Sequence, residues 1–515
     1  MAPNNGTTQD SVPSSRDSLA GAGWRCQRPG SYRDLIPAED RGRHFSWLDP
    51  RTLWQSRRNE WIARFLGDPV DDERRHLVAA QRQRPNAPKD FIINRSELDS
   101  PRFLVLGDTG EGDESQFALV PSLLEVGKDT HFMVICSDVV YPDGDVNEYL
   151  KKLCRPYKDY LKPIYALPGN HDWYDGLNGF MVHFCGAEPS DRSLGRNWIL
   201  RRLWRKAARV KPEMLEKCRS FRPEPEERLK QPGPYFAIDT GPLRIVGIDT
   251  GINGQLDRDQ GEWLRWVSSS SSKPKILLTG KPIYVDNEYH PGDIEDGAMK
   301  LDDIVRAGEH NYVAAIGGDI HNYQRYPVEV GDRKIQYIVS GGGGAYMSDT
   351  HRIPKVDVNG VDEADFRCYP LRGDSLSAYS RVVDHRLFLG LGAVYIPPDE
   401  AAALMGERLG IEPSRPTDRH RRPRRRKELV ARLPFLRTPR RIRGRKALEP
   451  YFYPLFSEVF DWDEPPFFKN FLRLQATKST LTITCYGVTG CAEHEENPPV
   501  EDHVEIQLDQ FEVYR

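Results

Sequence analysis

Residues 164–176 read IYALPGNHDWYDG, and this stretch decides the fold. A short apolar run ends in Pro-Gly and is followed at once by Asn, His and Asp. The same pattern, an apolar run followed by glycine or polar residues, recurs in FLVLGDTG (103–110), FMVICSD (132–138), KILLTGK (275–281) and YVAAIGGDIH (312–321). Short buried strands that end in polar loops are typical of layered α/β folds, in which ligands gather at the carboxyl ends of the strands. We therefore predict a mixed α/β (α+β) fold, a layered β-sandwich flanked by helices.

Polar side chains that can bind a metal follow these apolar runs in matching places. A single Asp after a strand is commonly a helix cap or a turn residue, so the prediction of a site depends on its recurrence over four strand ends. Carboxylates mixed with imidazole suit Mn, Fe or Zn better than the all-oxygen ligand sets of Ca²⁺ or Mg²⁺. The candidate residues are Asp108, Asp138, Asn170, His171, Asp172, Asp319 and His321.

In this arrangement the sequence resembles the calcineurin-like metallophosphoesterases, and among them the purple-acid-phosphatase branch. Five motifs stand in the family's order: GDTG (107–110), SDVVY (137–141), GNHD (169–172), TGKP (279–282) and GDIH (318–321). GNHD is the most specific of the five, and the resemblance extends from about residue 102 to residue 344. It implies a layered sandwich of the metallophosphoesterase type and one or two bound ions, divalent or ferric (Fe, Mn or Zn).

For the first ion, the resemblance implies the ligands Asp108, Asp138, Tyr141 and His321, with Asp138 bridging to a second ion. Gly110 stands where many members of the superfamily have a histidine, and the Tyr141 phenolate fills that place in the purple branch. A tyrosinate ligand favours ferric iron.

The second ion position departs from the family pattern. Asn170 remains, but Gly280 replaces the histidine of the fourth motif and Asp319 replaces the first histidine of the fifth. Asp319 can still ligate through oxygen, whereas glycine offers no side chain. The neighbouring Lys281 is a candidate for supplying positive charge there instead.

The resemblance implies a hydrolase of phosphomonoesters or phosphodiesters. In such a centre bound ions hold the phosphoryl oxygens and turn a water into a hydroxide near neutral pH. By the family pattern His171 gives the leaving group its proton, and Asp172 is expected to hold the imidazole ring. The alternative is a catalytically weakened member that binds an anionic ligand or partner, which Gly280 and Asp319 favour.

The charge of the chain is unevenly distributed. The net charge of −3 conceals a segment, residues 415–446, with 13 Arg and 2 Lys against two acidic residues. Its four prolines argue against a continuous helix. We predict a flexible basic arm that either only keeps the chain soluble or attracts an anionic partner such as lipid, nucleic acid or polyphosphate.

Five segments are expected along the chain: a disordered tail (1–43), a helical extension (44–100), the metallophosphoesterase core (101–349), an insertion with the basic arm (350–450) and a C-terminal β addition (451–515). Residues 44–66 alternate aromatic and aliphatic residues with arginines at near-helical spacing. This pattern predicts a helix that either packs on the protein body or lies on anionic lipid.

Targeting and redox signals predict a cytoplasmic location. No run approaches the roughly 18 apolar residues of a membrane-spanning helix, so no transmembrane segment is expected. Residues 1–23 lack the apolar region of a signal peptide. Eight cysteines without CxxC spacing predict reduced, mostly buried thiols.

Overall fold

The computed structural model describes residues 26, 28–38, 40–41, 47, 49–66, 68–85, 88–190, 198–204, 207–221, 230–295, 297, 299–414 and 465–508. The predicted basic arm at 415–446 and the first 25 residues lie outside the described residues. The statements below concern the described part of the chain.

Two β-sheets form the centre of the molecule. One has six strands in the order β18-β17-β16-β2-β3-β4, and the other has eight in the order β1-β5-β6-β8-β12-β14-β13-β15. The strands are β1 (Ile92–Arg95), β2 (Arg102–Leu106), β3 (Phe132–Cys136), β4 (Ile164–Leu167), β5 (Phe236–Thr240), β6 (Arg244–Ile248), β7 (Gln255–Leu256), β8 (Lys275–Thr279), β9 (Tyr284–Val285), β10 (Glu288–Tyr289), β11 (Asp293–Ile294), β12 (Tyr312–Gly317), β13 (Tyr323–Val330), β14 (Arg333–Ser340), β15 (Arg367–Tyr369), β16 (Lys469–Ala476), β17 (Thr480–Val488) and β18 (Val500–Gln507).

Helices cover the outer faces of the sheets. They are α1 (Tyr32–Leu35), α2 (Pro50–Leu66), α3 (Val70–Arg82), α4 (Glu114–Val126), α5 (Asn178–Cys185), α6 (Trp198–Leu203), α7 (Pro212–Phe221), α8 (Arg258–Ser269), α9 (Leu301–Arg306), α10 (Arg372–Phe388) and α11 (Pro398–Leu409). Over the described ranges, none of them combines the length and the hydropathy needed to cross a bilayer.

The sheets pack face to face, so the central strands are buried on both sides. All residues of β3, β8 and β12 are buried, which explains why these segments read as uninterrupted apolar runs. One core cluster joins Phe103 and Phe132 of the first sheet to Phe236 and Ile276 of the second. The predicted layered α/β sandwich flanked by helices is confirmed.

The C-terminal strands extend the six-stranded sheet. β16 pairs antiparallel with β2, with Leu472 opposite Val105, and β17 and β18 continue outward as an antiparallel meander. Residues 469–507 therefore contribute three strands, β16, β17 and β18, to this sheet. This addition lies beside β2 and therefore supports the loop that follows β2.

A disulfide joins Cys26 to Cys491, 465 positions apart, with a Cα–Cα distance of 5.4 Å. Backbone hydrogen bonds from Gly30 to Gly490 and from Ala492 to Arg28 hold the same two segments together. The prediction that all eight cysteines are reduced was therefore wrong for this pair. The remaining six are free thiols and all except the half-buried Cys368 are buried.

Candidate metal centre

The carboxyl ends of five parallel strands meet at one edge of the sandwich. β2, β3 and β4 are parallel neighbours, so the residues that follow them share one edge of the first sheet. β8 and β12 are parallel neighbours in the second sheet. The two edges are joined directly, because the Asp319 amide donates a 2.8 Å hydrogen bond to Oδ2 of Asp108.

Four of the predicted ligands form one buried cluster around the Tyr141 hydroxyl. Its oxygen lies 3.1 Å from each of Asp108 Oδ1, Asp138 Oδ2 and His321 Nε2. His321 Nε2 and Asp108 Oδ1 are 3.8 Å apart. Each of the four residues is at most 5% exposed. Ligands that share an ion at bond lengths of about 2.1 Å and right angles lie about 3 Å apart, so this spacing suits a common cation.

The backbone that presents these groups is strained. Asp108, Asp138 and Asp319 adopt left-handed conformations, with φ of 58°, 34° and 68°. Such conformations cost of the order of 1 kcal/mol each in a residue with a Cβ, and they cluster at functional sites. Each stands two residues after the end of its strand, so the tight turn aims the side chain at the sheet edge.

Burial and mutual repulsion hinder ionisation of the carboxyl groups. Burial, and next the charges of Asp138 and Asp319, raise the pKa of Asp108 well above its usual range. Burial and Asp319 raise the pKa of Asp138 to about 7. Burial also raises the pKa of Tyr141. A cation among these groups would stabilise their charged forms.

The orientation of His321 is set by its second ring nitrogen. Nδ1 lies 2.9 Å from the carbonyl oxygen of Tyr346, so Nδ1–H donates to that carbonyl and Nε2 presents its lone pair to the cluster. Burial, followed by the charge of Lys469, lowers the pKa of His321 to about 3 and keeps the ring neutral. Tyr346 was missed by the sequence analysis, because a backbone carbonyl leaves no signal in residue type.

Gly110 leaves no space for the histidine that many superfamily members have there. A Cβ at this position would lie 1.9 Å from the Val139 carbonyl oxygen. The Gly110 carbonyl accepts the amide of Tyr141, at 2.9 Å, and this bond fixes the turn that brings the phenol into the cluster.

The second ion position is built differently from the first. Oδ1 of Asn170 is shielded from solvent and has no hydrogen-bond partner in the described residues. A Cβ at Gly280 would lie 2.8 Å from Thr250 Oγ1 and 3.1 Å from the Pro168 carbonyl oxygen, so a histidine does not fit. The Lys281 ammonium lies 2.7 Å from Oδ1 of Asp319.

A family model matches the part of the chain that carries the cluster. The model of the calcineurin-like phosphoesterase family matches residues 101–323, which contain all five strand ends. Residues 101–323 form a calcineurin-like phosphoesterase domain. The comparison with curated proteins gave no match.

Solved structures with some likeness to the chain include GAP50, the anchor in the inner membrane complex of Plasmodium, with 12% identity over 52% of this chain and 80% of that one and a TM-score of 0.32. PhoD has 11% identity over 80% of this chain and 70% of that one, with a TM-score of 0.32. TT1561 of Thermus thermophilus has 13% identity over 47% of this chain and 89% of that one, with a TM-score of 0.27. At these scores none of the three supports a conclusion about this chain.

The first position of the phosphoesterase domain fits a metal ion. One phenol proton cannot satisfy the two carboxylate oxygens and the imidazole nitrogen that surround it, whereas a cation would satisfy all of them. In the described ranges no three His, Cys, Asp or Glu side chains are placed closely enough to bind a metal by themselves. The second position fits a metal ion less well, because Gly280 contributes no ligand and Lys281 pairs with Asp319.

The predicted partnership between Asp172 and the His171 ring was wrong. Oδ2 of Asp172 accepts the backbone amides of Val139 (2.9 Å) and Gly169 (3.0 Å), so this carboxylate holds two motif loops together. The His171 ring is oriented by its Nδ1, which donates to the Pro142 carbonyl oxygen at 2.7 Å. Adjacency in sequence did not reveal the directions of the two side chains.

An aromatic residue from the N-terminal extension covers the cluster. Trp47 is 2% exposed, and its ring contacts those of Tyr141, His171 and Tyr346 at centroid distances of 5.5, 5.4 and 5.9 Å. Its Nε1 donates to Glu111 Oε1 at 2.9 Å. Trp47 therefore forms a wall of the site, and nothing in its sequence context distinguished it from the other tryptophans.

The loop after β2 contains two acidic residues besides Asp108, namely Glu111 and Asp113. Asp113 is the N-cap of α4 and accepts the Ser115 amide at 3.2 Å. Glu111 accepts the hydrogen bond from Trp47. Both acidic side chains support the loop that carries Asp108.

Proposed function

We propose that the chain is a metal-dependent hydrolase of phosphomonoesters or phosphodiesters. One observation carries the proposal: a tyrosine hydroxyl stands 3.1 Å from two carboxylates and one imidazole at the strand ends of a calcineurin-like phosphoesterase domain. A bound ion would supply a Lewis acid for the phosphoryl oxygens and a more acidic water.

Asp108, Asp138, Tyr141 and His321 would hold this ion. Oxygen and imidazole donors suit Fe, Mn or Zn, and the tyrosine favours ferric iron, as the resemblance to the purple branch implies. The neutral His321, held through its Nδ1, offers Nε2 as a ligand without first losing a proton. The cluster is preorganised by the strained turns and by Tyr346.

At the second position, Asn170, Asp138 and Asp319 would bind another ion loosely, or Lys281 would take its place. The Asn170 Oδ1, which lacks a hydrogen-bond partner in the described residues, supports a cation there. The Lys281 ammonium is fixed by Asp319, and Asp319 raises its pKa although burial alone would lower it. A fixed ammonium at this place would attract a phosphoryl oxygen.

His171 would protonate the leaving group. Nδ1–H donates to the Pro142 carbonyl oxygen, so the proton for the leaving group would come from Nε2. The ring packs between those of Tyr141 and Tyr174, at centroid distances of 4.6 and 4.9 Å, which fixes its plane. Asp172 acts indirectly, by holding the loop that carries His171.

A catalytically weakened protein that binds an anionic ligand is the second candidate. It is favoured by the packing around Gly280, which excludes a ligand side chain, and by the ion pair between Lys281 and Asp319. Such a protein would bind phosphate without turnover.

Tyr141→Phe tests the proposal, because it removes one oxygen and leaves the ring. Hydrolysis of an aryl phosphate and of an aryl phosphodiester is measured with Mn²⁺ or Fe, together with the metal content of the protein. We expect the variant to lose bound metal and at least about 100-fold of the activity, since two or three kcal/mol of ligation is removed. Tyr149→Phe is the matched control, because the buried Tyr149 hydroxyl has no hydrogen-bond partner in the described residues.

Two outcomes would decide against the hydrolase. Absence of turnover by the wild type with every metal, combined with phosphate binding, supports the weakened binding protein. Full activity and full metal content in Tyr141→Phe would refute the proposed centre.

The remaining proposals concern partners and location. An anionic partner of the basic arm at 415–446 stays a prediction, as does the cytoplasmic location. The Cys26–Cys491 disulfide weighs against that location, because disulfides are rare in reducing compartments.

A further inference from the structure

Helix α2 has two unlike faces. Its inner face contains Ser56, Asn59, Ile62 and Ala63, which are at most 8% exposed. Its outer face carries large aromatic residues: Trp54, Trp61 and Phe65 are 65%, 52% and 66% exposed. At 3.6 residues per turn these three lie within a sector of roughly 40°. The helix therefore buries Ile62 and Ala63 in the core and, unlike an ordinary surface helix, also presents a stripe of large aromatic residues to solvent.

Helix α6 enlarges this surface. The Arg58 guanidinium donates to the Leu203 carbonyl oxygen and so joins the two helices. Trp198 is 71% exposed and Leu203 is 38% exposed. We call the five residues Trp54, Trp61, Phe65, Trp198 and Leu203 the aromatic patch. Single exposed apolar residues are normal, whereas several on two adjoining helices mark an interaction surface.

The two helices that carry the aromatic patch are rich in arginine and poor in acidic residues. Helix α2 contains Arg51, Arg57, Arg58 and Arg64 against the single acidic residue Glu60. Helix α6 adds two arginines and no acidic residue. Arg58 also lies over the Trp54 ring, 6.0 Å from its centroid. A partner for this surface must therefore combine an apolar interior with negative charge at its boundary.

We infer that the aromatic patch docks onto the surface of an anionic phospholipid bilayer. Tryptophan and phenylalanine insert at the level of the headgroups, while arginines beside them contact lipid phosphates. A second copy of the chain fits poorly, because a two-fold contact would bring two positively charged patches together. The arginine-rich segment 415–446 of the same chain carries the same charge and would be repelled.

The patch is linked to the candidate metal centre through the inner face of α2. Nδ2 of Asn59 donates to the Tyr174 carbonyl oxygen at 2.6 Å, and the Tyr174 hydroxyl accepts from Asn170 at 2.9 Å. A bilayer on the outer face of α2 would therefore lie one helix diameter, ~10 Å, from Tyr174. Docking does not depend on hydrolysis, so it can be tested separately from the proposed function.

The test is co-sedimentation of the full chain with vesicles of phosphatidylcholine, with or without phosphatidylglycerol, at roughly 0.15 M salt. We expect the wild type to bind only the anionic vesicles. The triple variant W54S/W61S/F65S should bind them at least about tenfold more weakly, because its three aromatic side chains no longer insert. W266S is the matched control, because Trp266 is 46% exposed on α8 and should have no effect.

Three results would overturn the inference. The wild type fails to bind anionic vesicles, or the triple variant binds as tightly as W266S. The third contradicting result is a wild type that is dimeric without lipid and a triple variant that is monomeric, because the aromatic patch would then be the contact between two copies of the chain. The unfolding midpoint of each variant is measured alongside, and it should not change because the substituted residues are exposed. Any vesicle binding by segment 415–446 should be the same in every variant, so it does not affect the comparison between variants.

Discussion

Substitution of Arg74 on α3 is the strongest test of how the N-terminal extension supports the phosphoesterase domain. Its guanidinium is inaccessible to solvent and pairs with three carboxylates, Asp249 and Asp257 at 2.8 Å and Asp71 at 3.2 Å. Asp249 in turn accepts the indole N–H of Trp173 at 3.0 Å, two residues after His171. We predict that Arg74→Met destabilises the protein and loosens the loop that carries His171.

The magnitude follows from burial. Removing one partner of a buried ion pair costs about 3–5 kcal/mol, because the remaining charge stays buried without compensation. Asp249 keeps the Trp173 and Gly251 hydrogen bonds, so we expect a loss of about 4 kcal/mol at neutral pH. Burial raises the pKa of Asp71 and Arg74 opposes this rise, so without the guanidinium the pKa would rise further and the folded variant would bind more protons than the unfolded chain. The loss should therefore shrink as the pH falls from about 7 towards 5.

Urea unfolding followed by near-UV circular dichroism measures this loss. Arg75→Met is the matched control on the same helix, because Arg75 is partly exposed and its two partners, Asp72 at 2.7 Å and Glu295 at 2.5 Å, are also accessible to solvent. Its removal should cost less than ~1 kcal/mol. Equal losses for the two variants, or a loss for Arg74→Met that grows on acidification, would refute the reasoning.

Three further predictions concern a cation, a buried imidazole and the disulfide. Lys281→Met should weaken the binding of inorganic phosphate, measured by calorimetry, roughly tenfold. Lys273→Met, at the opposite end of β8, should leave the affinity unchanged. Equal affinities of the two variants would exclude Lys281 from the anion site. Burial lowers the pKa of His183 to about 4, so the folded state binds fewer protons than the unfolded state between pH 4 and about 6.5. Stability should therefore fall by about 3 kcal/mol as the pH is lowered through this range. His183→Gln should remove this dependence, and an unchanged pH profile would contradict it. Peptide mapping without reductant should find Cys26 linked to Cys491, and alkylation of both thiols would disprove the link.

The strand ends could be predicted from the sequence because burial on both faces leaves a pattern of its own. Parallel strands in the centre of a sandwich are apolar throughout, and the first polar residues after them must lie at the sheet edge. Asp108, Asp138 and His321 are brought together for this reason, and so is Tyr141, which the turn after β3 returns to the same edge.

The contacts that orient these side chains could not be predicted. Tyr346 acts on His321 through its backbone carbonyl, and the Asp172 carboxylate turns towards backbone amides instead of the neighbouring ring. Trp47 lies in the N-terminal extension, about 90 residues before Tyr141 in the sequence, yet its ring contacts the ring of Tyr141. Such contacts depend on tertiary packing and leave no periodic signal.

The disulfide could not be predicted for a related reason. Cys26 and Cys491 are brought together only because the C-terminal strands add to the sheet beside β2 and the N-terminal segment crosses near their loops. Sequence spacing carries no information about a pairing over 465 positions.

Anomalous diffraction from crystals grown with Mn²⁺ or Fe tests most directly whether the four side chains share one cation. We predict a single strong peak within bonding distance, about 2.0–2.3 Å, of Asp108, Asp138, Tyr141 and His321. A map without a peak among these four residues, or with the metal bound elsewhere in the chain, would contradict the account.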